Sequence, residues 1–169
     1  TARDVDYFAE HEKTLDSSNQ TFTADPEVAI GEILTYEVTL TVPPGEMTNL
    51  TLTDTFDRGL VFVDCESITA GGFDEICDNP AAVSVFPPPS ANPADEGRQV
   101  VFDFETLENT GSVETDLVIT YRAVALNNIE NQSGTDFNNR AAWDWDGGTL
   151  EDRAGELTVL EPDLTLEKD

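Results

Sequence analysis

Three polar residues fall at positions where the strand pattern of the chain calls for apolar side chains. Side chains of a β-strand point alternately to opposite faces. Asp54 and Asn139 each alternate in phase with large apolar side chains, and Lys13 is in phase with Leu15. Burial of an unpaired Lys, Asp or Asn is costly, so each needs a partner or a reaction.

One reaction satisfies all three residues. In an apolar pocket desolvation lowers the pKa of the Lys13 amine and shifts the Asp54 carboxyl towards its neutral form. The neutral amine can attack the side-chain carbonyl of Asn139 while Asp54 polarises that carbonyl and carries protons as ammonia leaves. The predicted product is an isopeptide bond between the first and last strands, which by analogy with disulfides stabilises by about 4–5 kcal/mol. The alternation equally allows a buried Lys13–Asp54 ion pair beside Asn139 with no covalent bond.

The strands that position these residues are predicted from alternation with a period of two, which runs through most of the chain. No stretch repeats at helical spacing, and Gly and Pro separate the strand-like runs. Residues 137–145 and 149–154 flank an Asp-Gly-Gly turn and are predicted to form a hairpin. The sequence therefore predicts an all-β fold, an antiparallel immunoglobulin-like β-sandwich with an elaborated loop region.

The predicted organisation is one sandwich module over residues 1–160, followed by residues 161–169. Residues 64–99 are irregular and form an excursion that carries Cys65 and Cys77. In an exported protein these two cysteines are expected to form a disulfide, worth roughly 3 kcal/mol by loop entropy. No run is long and apolar enough for a membrane span.

The lysines are used sparingly. Lys13 and Lys168 are the only two, whereas six of the eight basic residues are arginine. Lys168 lies in a phrase like that around Lys13, so residues 161–169 are predicted to be a linker, the start of a next repeat or a donor strand. A donor strand would add to a neighbouring subunit, or Lys168 could reach the Asn139 site of that subunit, giving head-to-tail self-association. The alternative is a frayed tail.

The formal net charge of -27 argues against nucleic acid and anionic membranes as partners. It fits either adaptation to high salt or binding of Ca²⁺, a cation that several oxygen atoms ligate. Asp144, Asp146 and Asp152 are the calcium candidates, with solvated turn residues as the alternative. No other cofactor is expected.

Two further features concern the cellular location of the protein and whether it is an enzyme. Asn19, Asn49 and Asn131 begin Asn-x-Ser/Thr triplets and are candidates for N-glycosylation. The chain has neither a Gly-rich phosphate loop nor a nucleophile elbow, so an enzyme is not expected.

Four segments resemble repeat domains of bacterial and archaeal surface proteins. Residues 28–40 resemble the GD-x-V-T-Y-T-V-T opening of those repeats, and residues 49–56 resemble their N-V-x-V-T-D-T-L-P segment. Residues 139–143 are similar to their N-T-A-T-V strand, and residues 160–168 are similar to the phrase that joins one repeat to the next.

The resemblance extends to isopeptide-forming domains of Gram-positive pilins and adhesins. It implies a Lys–Asn bond assisted by an acidic residue, which falls on Lys13, Asn139 and Asp54. The function it implies is that of an extracellular, cell-surface structural module, a stalk or filament subunit that contacts copies of itself or adjacent repeats. The alternative is an adhesive, ligand-binding β-sandwich domain whose recognition loop lies in residues 64–99.

Overall fold

The computed structural model describes residues 9–69, 77, 82–86, 97–127 and 131–161. These residues form twelve strands: β1 (Glu10–Ser18), β2 (Glu27–Ala29), β3 (Ile33–Val42), β4 (Gly45–Phe56), β5 (Leu60–Thr69), β6 (Val83–Phe86), β7 (Gln99–Asn109), β8 (Thr115–Ala125), β9 (Asp136–Phe137), β10 (Asn139–Trp145), β11 (Gly148–Arg153) and β12 (Leu157–Leu160). Among the described residues there is no helix with the length and apolarity to cross a membrane.

Two antiparallel sheets face each other and enclose the core. One has the strand order β1-β3-β8-β5 and the other the order β11-β10-β4-β7-β6. Burial alternates strictly along β3 and along the second half of β4, because one face of each strand points into the space between the sheets. The predicted antiparallel β-sandwich is thereby confirmed.

A third, smaller sheet has the order β2-β12-β9, in which β12 runs parallel to β2. Alternation did not predict it, since its strands are only two to four residues long and pair over long distances in sequence. Val28, Phe137 and Val159 are buried, so this sheet closes one part of the core.

The predicted hairpin is confirmed, because β10 and β11 pair antiparallel with Trp143 opposite Leu150. Trp143 is fully buried. Trp145 is only partly buried, since it pairs with Gly148 at the turn end of the hairpin.

The excursion contributes strand residues to both sheets. β5 continues through its first residues to Thr69, and β6 pairs with β7 at the margin of the five-stranded sheet. The predicted disulfide is present: Cys65 and Cys77 are bonded, with their Cα atoms 5.3 Å apart.

Candidate cross-linking site

Lys13 of β1 extends its side chain between the two sheets, where that side chain is 0% exposed. Its Nζ donates hydrogen bonds to Oδ2 of Asp54 and, at 2.5 Å, to the hydroxyl oxygen of Tyr121. The ammonium also lies 5.0 Å from the ring centroid of Tyr36 and 6.0 Å from that of Phe56. Aromatic faces attract a cation, so Lys13 occupies an aromatic cage with one carboxylate.

Asp54 reaches the same point from β4 in the opposite sheet and is 0% exposed. Its Oδ2 accepts hydrogen bonds from Lys13 and from the Tyr121 hydroxyl. Its Oδ1 is buried and has no hydrogen-bond partner among the described residues. One oxygen of this carboxyl is therefore doubly used and the other is free.

Burial shifts both groups of the ion pair towards their neutral forms. Desolvation raises the pKa of Asp54 to about 6, although Lys13 opposes the shift. Desolvation also lowers the pKa of Lys13, although Asp54 opposes it. The two pKa values approach each other, so moving the shared proton from the amine to the carboxyl costs far less than in water.

Asn139 begins β10 and is 2% exposed. It pairs with Phe56 while Asp54 pairs with Ala141, so Asn139 and Asp54 are diagonal neighbours on the inner face. Backbones of diagonal neighbours lie roughly 7–8 Å apart, which long side chains can span.

The amide of Asn139 is poorly satisfied. Its oxygen and its nitrogen are both buried without a hydrogen bond of ordinary geometry in the described part of the chain. The Tyr36 hydroxyl contacts this amide: burial raises the pKa of Tyr36, while the contact with Asn139 acts in the opposite direction. An unsatisfied buried amide costs stability, so a reaction that consumes it is favoured.

The structure thus brings the three predicted residues into one buried cluster. Lys13 is paired with Asp54, and Tyr36 contacts both Lys13 and the amide of Asn139. The strand assignment needs a correction, however. Asn139 lies in β10, which is followed by β11 and β12, so it is not in the last strand. The predicted hairpin already places residues 149–154, most of which lie in β11, after the strand that carries Asn139.

Tyr121 was not predicted as a site residue. It alternates in phase with the apolar residues of β8, so the pattern marks it only as core. Yet a buried tyrosine hydroxyl normally requires a hydrogen-bond partner, and this is the signal that could have found it. His11 carried no signal either; its Nδ1 accepts a hydrogen bond from Trp143 Nε1 at 3.1 Å, and burial lowers its pKa.

The calcium candidates do not gather into one site. Asp152 pairs with Ala141, on the inward side of the hairpin, and accepts a hydrogen bond from the Lys13 backbone N–H at 3.0 Å. Asp144 is exposed on the other face. Asp146 accepts hydrogen bonds from Thr48 and Asn49 at the turn. Among the described residues no group of three or more His, Cys, Asp or Glu side chains could hold a metal ion.

The glycosylation candidates differ in exposure. Asn19 and Asn49 are exposed. Asn131 is 1% exposed, and its Nδ2 donates hydrogen bonds to the carbonyl oxygens of Gly59 and Leu126, so a glycan on this nitrogen is incompatible with the folded arrangement. Lys168 lies outside the described residues.

No protein-family model matches the chain, and a sequence comparison with curated proteins finds no match. Solved structures do match. The major pilin SpaD of Corynebacterium diphtheriae is 18% identical with a TM-score of 0.53, over 88% of this chain and 34% of the pilin. The major pilin BcpA of Bacillus cereus is 16% identical with a TM-score of 0.54, over 90% of this chain and 40% of the pilin.

The N-terminal domain of an adhesin from Streptococcus gordonii is also similar, at 16% identity and a TM-score of 0.53, over 90% of this chain and 32% of that chain. The chain thus spans between about a third and two fifths of these three structures. The predicted relation to pilin and adhesin domains is confirmed at the level of the fold: this chain has the β-sandwich fold of bacterial pilin and adhesin domains.

Proposed function

We propose that the protein is an extracellular structural module, a stalk or filament subunit at a cell surface, that hardens itself with an isopeptide bond between Lys13 and Asn139. The proposal rests on one observation. A fully buried Lys13–Asp54 pair joins the two sheets, and the buried amide of Asn139 near it has no hydrogen bond of ordinary geometry to the described part of the chain. The likeness to pilin domains supports the structural role.

In this proposal Asp54 assists the reaction. The amine and the carboxyl are both shifted towards their neutral forms, which are the forms that react. The protonated carboxyl of Asp54 polarises the Asn139 carbonyl, the neutral Lys13 amine attacks the side-chain carbon, and ammonia leaves. The bond closes a loop of more than a hundred residues, and such a covalent tie also resists extension of the chain by force.

The experiment is an intact-mass measurement on the reduced, denatured protein, followed by peptide mapping. The expected mass is short of the sequence mass by one ammonia, with a branched peptide that joins Lys13 to Asn139. A mass equal to the plain sequence would refute the bond and leave a buried ion pair. Covalent species of twice the mass, linked through Lys168, would support polymerisation through the C-terminal segment.

A second candidate function is adhesion through the excursion, favoured by the likeness to the adhesin domain. Val63, in β5 directly before the excursion, and Phe86, in β6 within it, are 42% and 45% exposed. An adhesin is expected to stay monomeric and bind a target, whereas a filament subunit associates end to end through its terminal strands. Sedimentation analysis distinguishes the two.

A further inference from the structure

The hydroxyl group of Tyr121 lies between the two charged partners of the site. It accepts a hydrogen bond from Lys13 Nζ at 2.5 Å and donates one to Asp54 Oδ2. The residue is 0% exposed, so water does not compete for these contacts. An amine, a hydroxyl and a carboxyl in this order form a continuous path for protons.

We propose that Tyr121 is a catalytic residue of the cross-linking reaction, in which it relays protons from the Lys13 nitrogen to Asp54. This inference rests on the proposed isopeptide bond. Tyr121 passes its own proton to Asp54 Oδ2 as it receives one from Nζ, and it is a neutral phenol before and after each transfer. It need not ionise, which matters because a buried phenolate is strongly disfavoured.

The first relay prepares the nucleophile. One proton moves from the Lys13 ammonium to the Tyr121 oxygen while the phenol proton moves to Asp54 Oδ2. The products are a neutral amine and a neutral carboxylic acid, so no net charge is created in the core. The direct contact between Lys13 and Asp54 can serve this step as well.

The second relay requires Tyr121. After the amine attacks, the Lys13 nitrogen is bonded to the side-chain carbon of Asn139 and carries a surplus proton. Asp54 must then protonate the departing amino group of Asn139, so it cannot also face the Lys13 nitrogen directly. As the amine attacks, the protonated carboxyl of Asp54 gives its proton to the carbonyl oxygen of Asn139, which becomes a hydroxyl group, and Asp54 becomes a carboxylate again. Tyr121 then delivers the surplus proton of the Lys13 nitrogen to Oδ2 of Asp54, and the carboxylic acid so formed gives a proton to the amino group. The carbon–nitrogen bond breaks, ammonia leaves, the tetrahedral hydroxyl returns its proton to Asp54, and the carbonyl reforms.

The test uses the full chain purified unfolded, before any cross-link forms, and then refolded. Intact mass is followed with time for the wild type, for Tyr121→Phe and for Tyr36→Phe, which removes a buried hydroxyl from the same cluster. General acid–base catalysis contributes about a hundredfold or more, so Tyr121→Phe is expected to lose ammonia at least tenfold more slowly than Tyr36→Phe. Thermal melts of the freshly refolded, unlinked proteins check that both variants fold.

Three outcomes oppose the inference, and they are distinguishable. If the wild type keeps its plain sequence mass, the cross-link itself fails. If the wild type loses ammonia and Tyr121→Phe keeps pace with Tyr36→Phe, only the relay fails. If Tyr121→Phe does not fold, the dependence of the wild-type rate on the fraction of D₂O decides: a relay with two protons in flight gives a curved dependence, and a straight line overturns it.

Discussion

Two buried carboxyls of the same sandwich are arranged in opposite ways. Glu32 is 1% exposed, and both of its oxygens are used. Its Oε1 accepts hydrogen bonds from the Ser18 and Thr23 hydroxyls, and its Oε2 accepts one from the Ala29 backbone N–H at 2.7 Å. All three donors are neutral, and together they tie the end of β1 to the loop before β3.

Asp54 instead has a charged partner, Lys13, and one oxygen that accepts no hydrogen bond from the described residues. Lys13 and Tyr121 both donate to Oδ2, whereas Oδ1 is buried and has no partner among the described residues. The same holds for the amide of Asn139, a diagonal neighbour of Asp54. A carboxyl whose two oxygens both accept hydrogen bonds has no free oxygen with which to assist a reaction. The comparison teaches that burial alone does not indicate a reactive carboxyl; the placement of donors decides.

The sharpest way to break this comparison is to replace each carboxyl by its isosteric amide. We expect Asp54→Asn to abolish the cross-link and to leave Lys13 without a counter-charge, which costs about 3–5 kcal/mol beyond the loss of the bond. Intact mass and urea unfolding measure the two effects. Loss of ammonia in Asp54→Asn at the wild-type rate would show that the carboxyl is not needed.

The next largest effect is expected for Asn139→Ala, which removes the acceptor of the bond but keeps the ion pair. The variant should retain its plain mass and unfold more easily than the linked wild type by about 5 kcal/mol, the estimate for closing a loop of this size. Urea unfolding of both proteins is the measurement. Equal stability would mean that the wild type carries no cross-link.

A pH titration of Asn139→Ala, in which no cross-link forms and the Lys13–Asp54 pair is kept, measures how burial changes the pKa of Asp54. Burial raises the folded pKa of Asp54 to about 6, above the value of about 4 in the unfolded chain. Between these values the folded state holds a proton that the unfolded chain has released, so the contribution of Asp54 to stability is fully present below about pH 4 and is lost as pH rises through about 6.

The decline is at most about 3 kcal/mol, from roughly 1.4 kcal/mol for each unit of pKa difference. The double variant Asp54→Asn with Asn139→Ala lacks the titrating group and is the matched control for urea unfolding at each pH. If stability of the single variant instead rises over this range as steeply as it is expected to fall, Asp54 is ionised in the folded state and the proton remains on Lys13.

The sequence predicted the part of the site that violates the strand pattern and missed the part that obeys it. Lys13 and Asp54 stand out because alternation places polar groups among apolar ones. Tyr121 does not stand out, since its ring satisfies the pattern and only its hydroxyl takes part in the site. Glu32 was missed for another reason. It lies before β3 and after Gly31 (φ 83°), outside any strand, so alternation assigns it to neither face.

The smallest effect is expected for Glu32→Gln, the counterpart of Asp54→Asn. The amide oxygen still accepts hydrogen bonds, but the amide nitrogen cannot accept one, so at least one of the three donors loses its partner. We expect a loss of about 1–3 kcal/mol in urea unfolding and cross-linking at the wild-type rate by intact mass, because Glu32 makes no contact with the Lys13 ammonium among its described hydrogen bonds. Slower loss of ammonia in Glu32→Gln would mean that the anchoring of β1 also positions Lys13, and the two carboxyls would then act on one site.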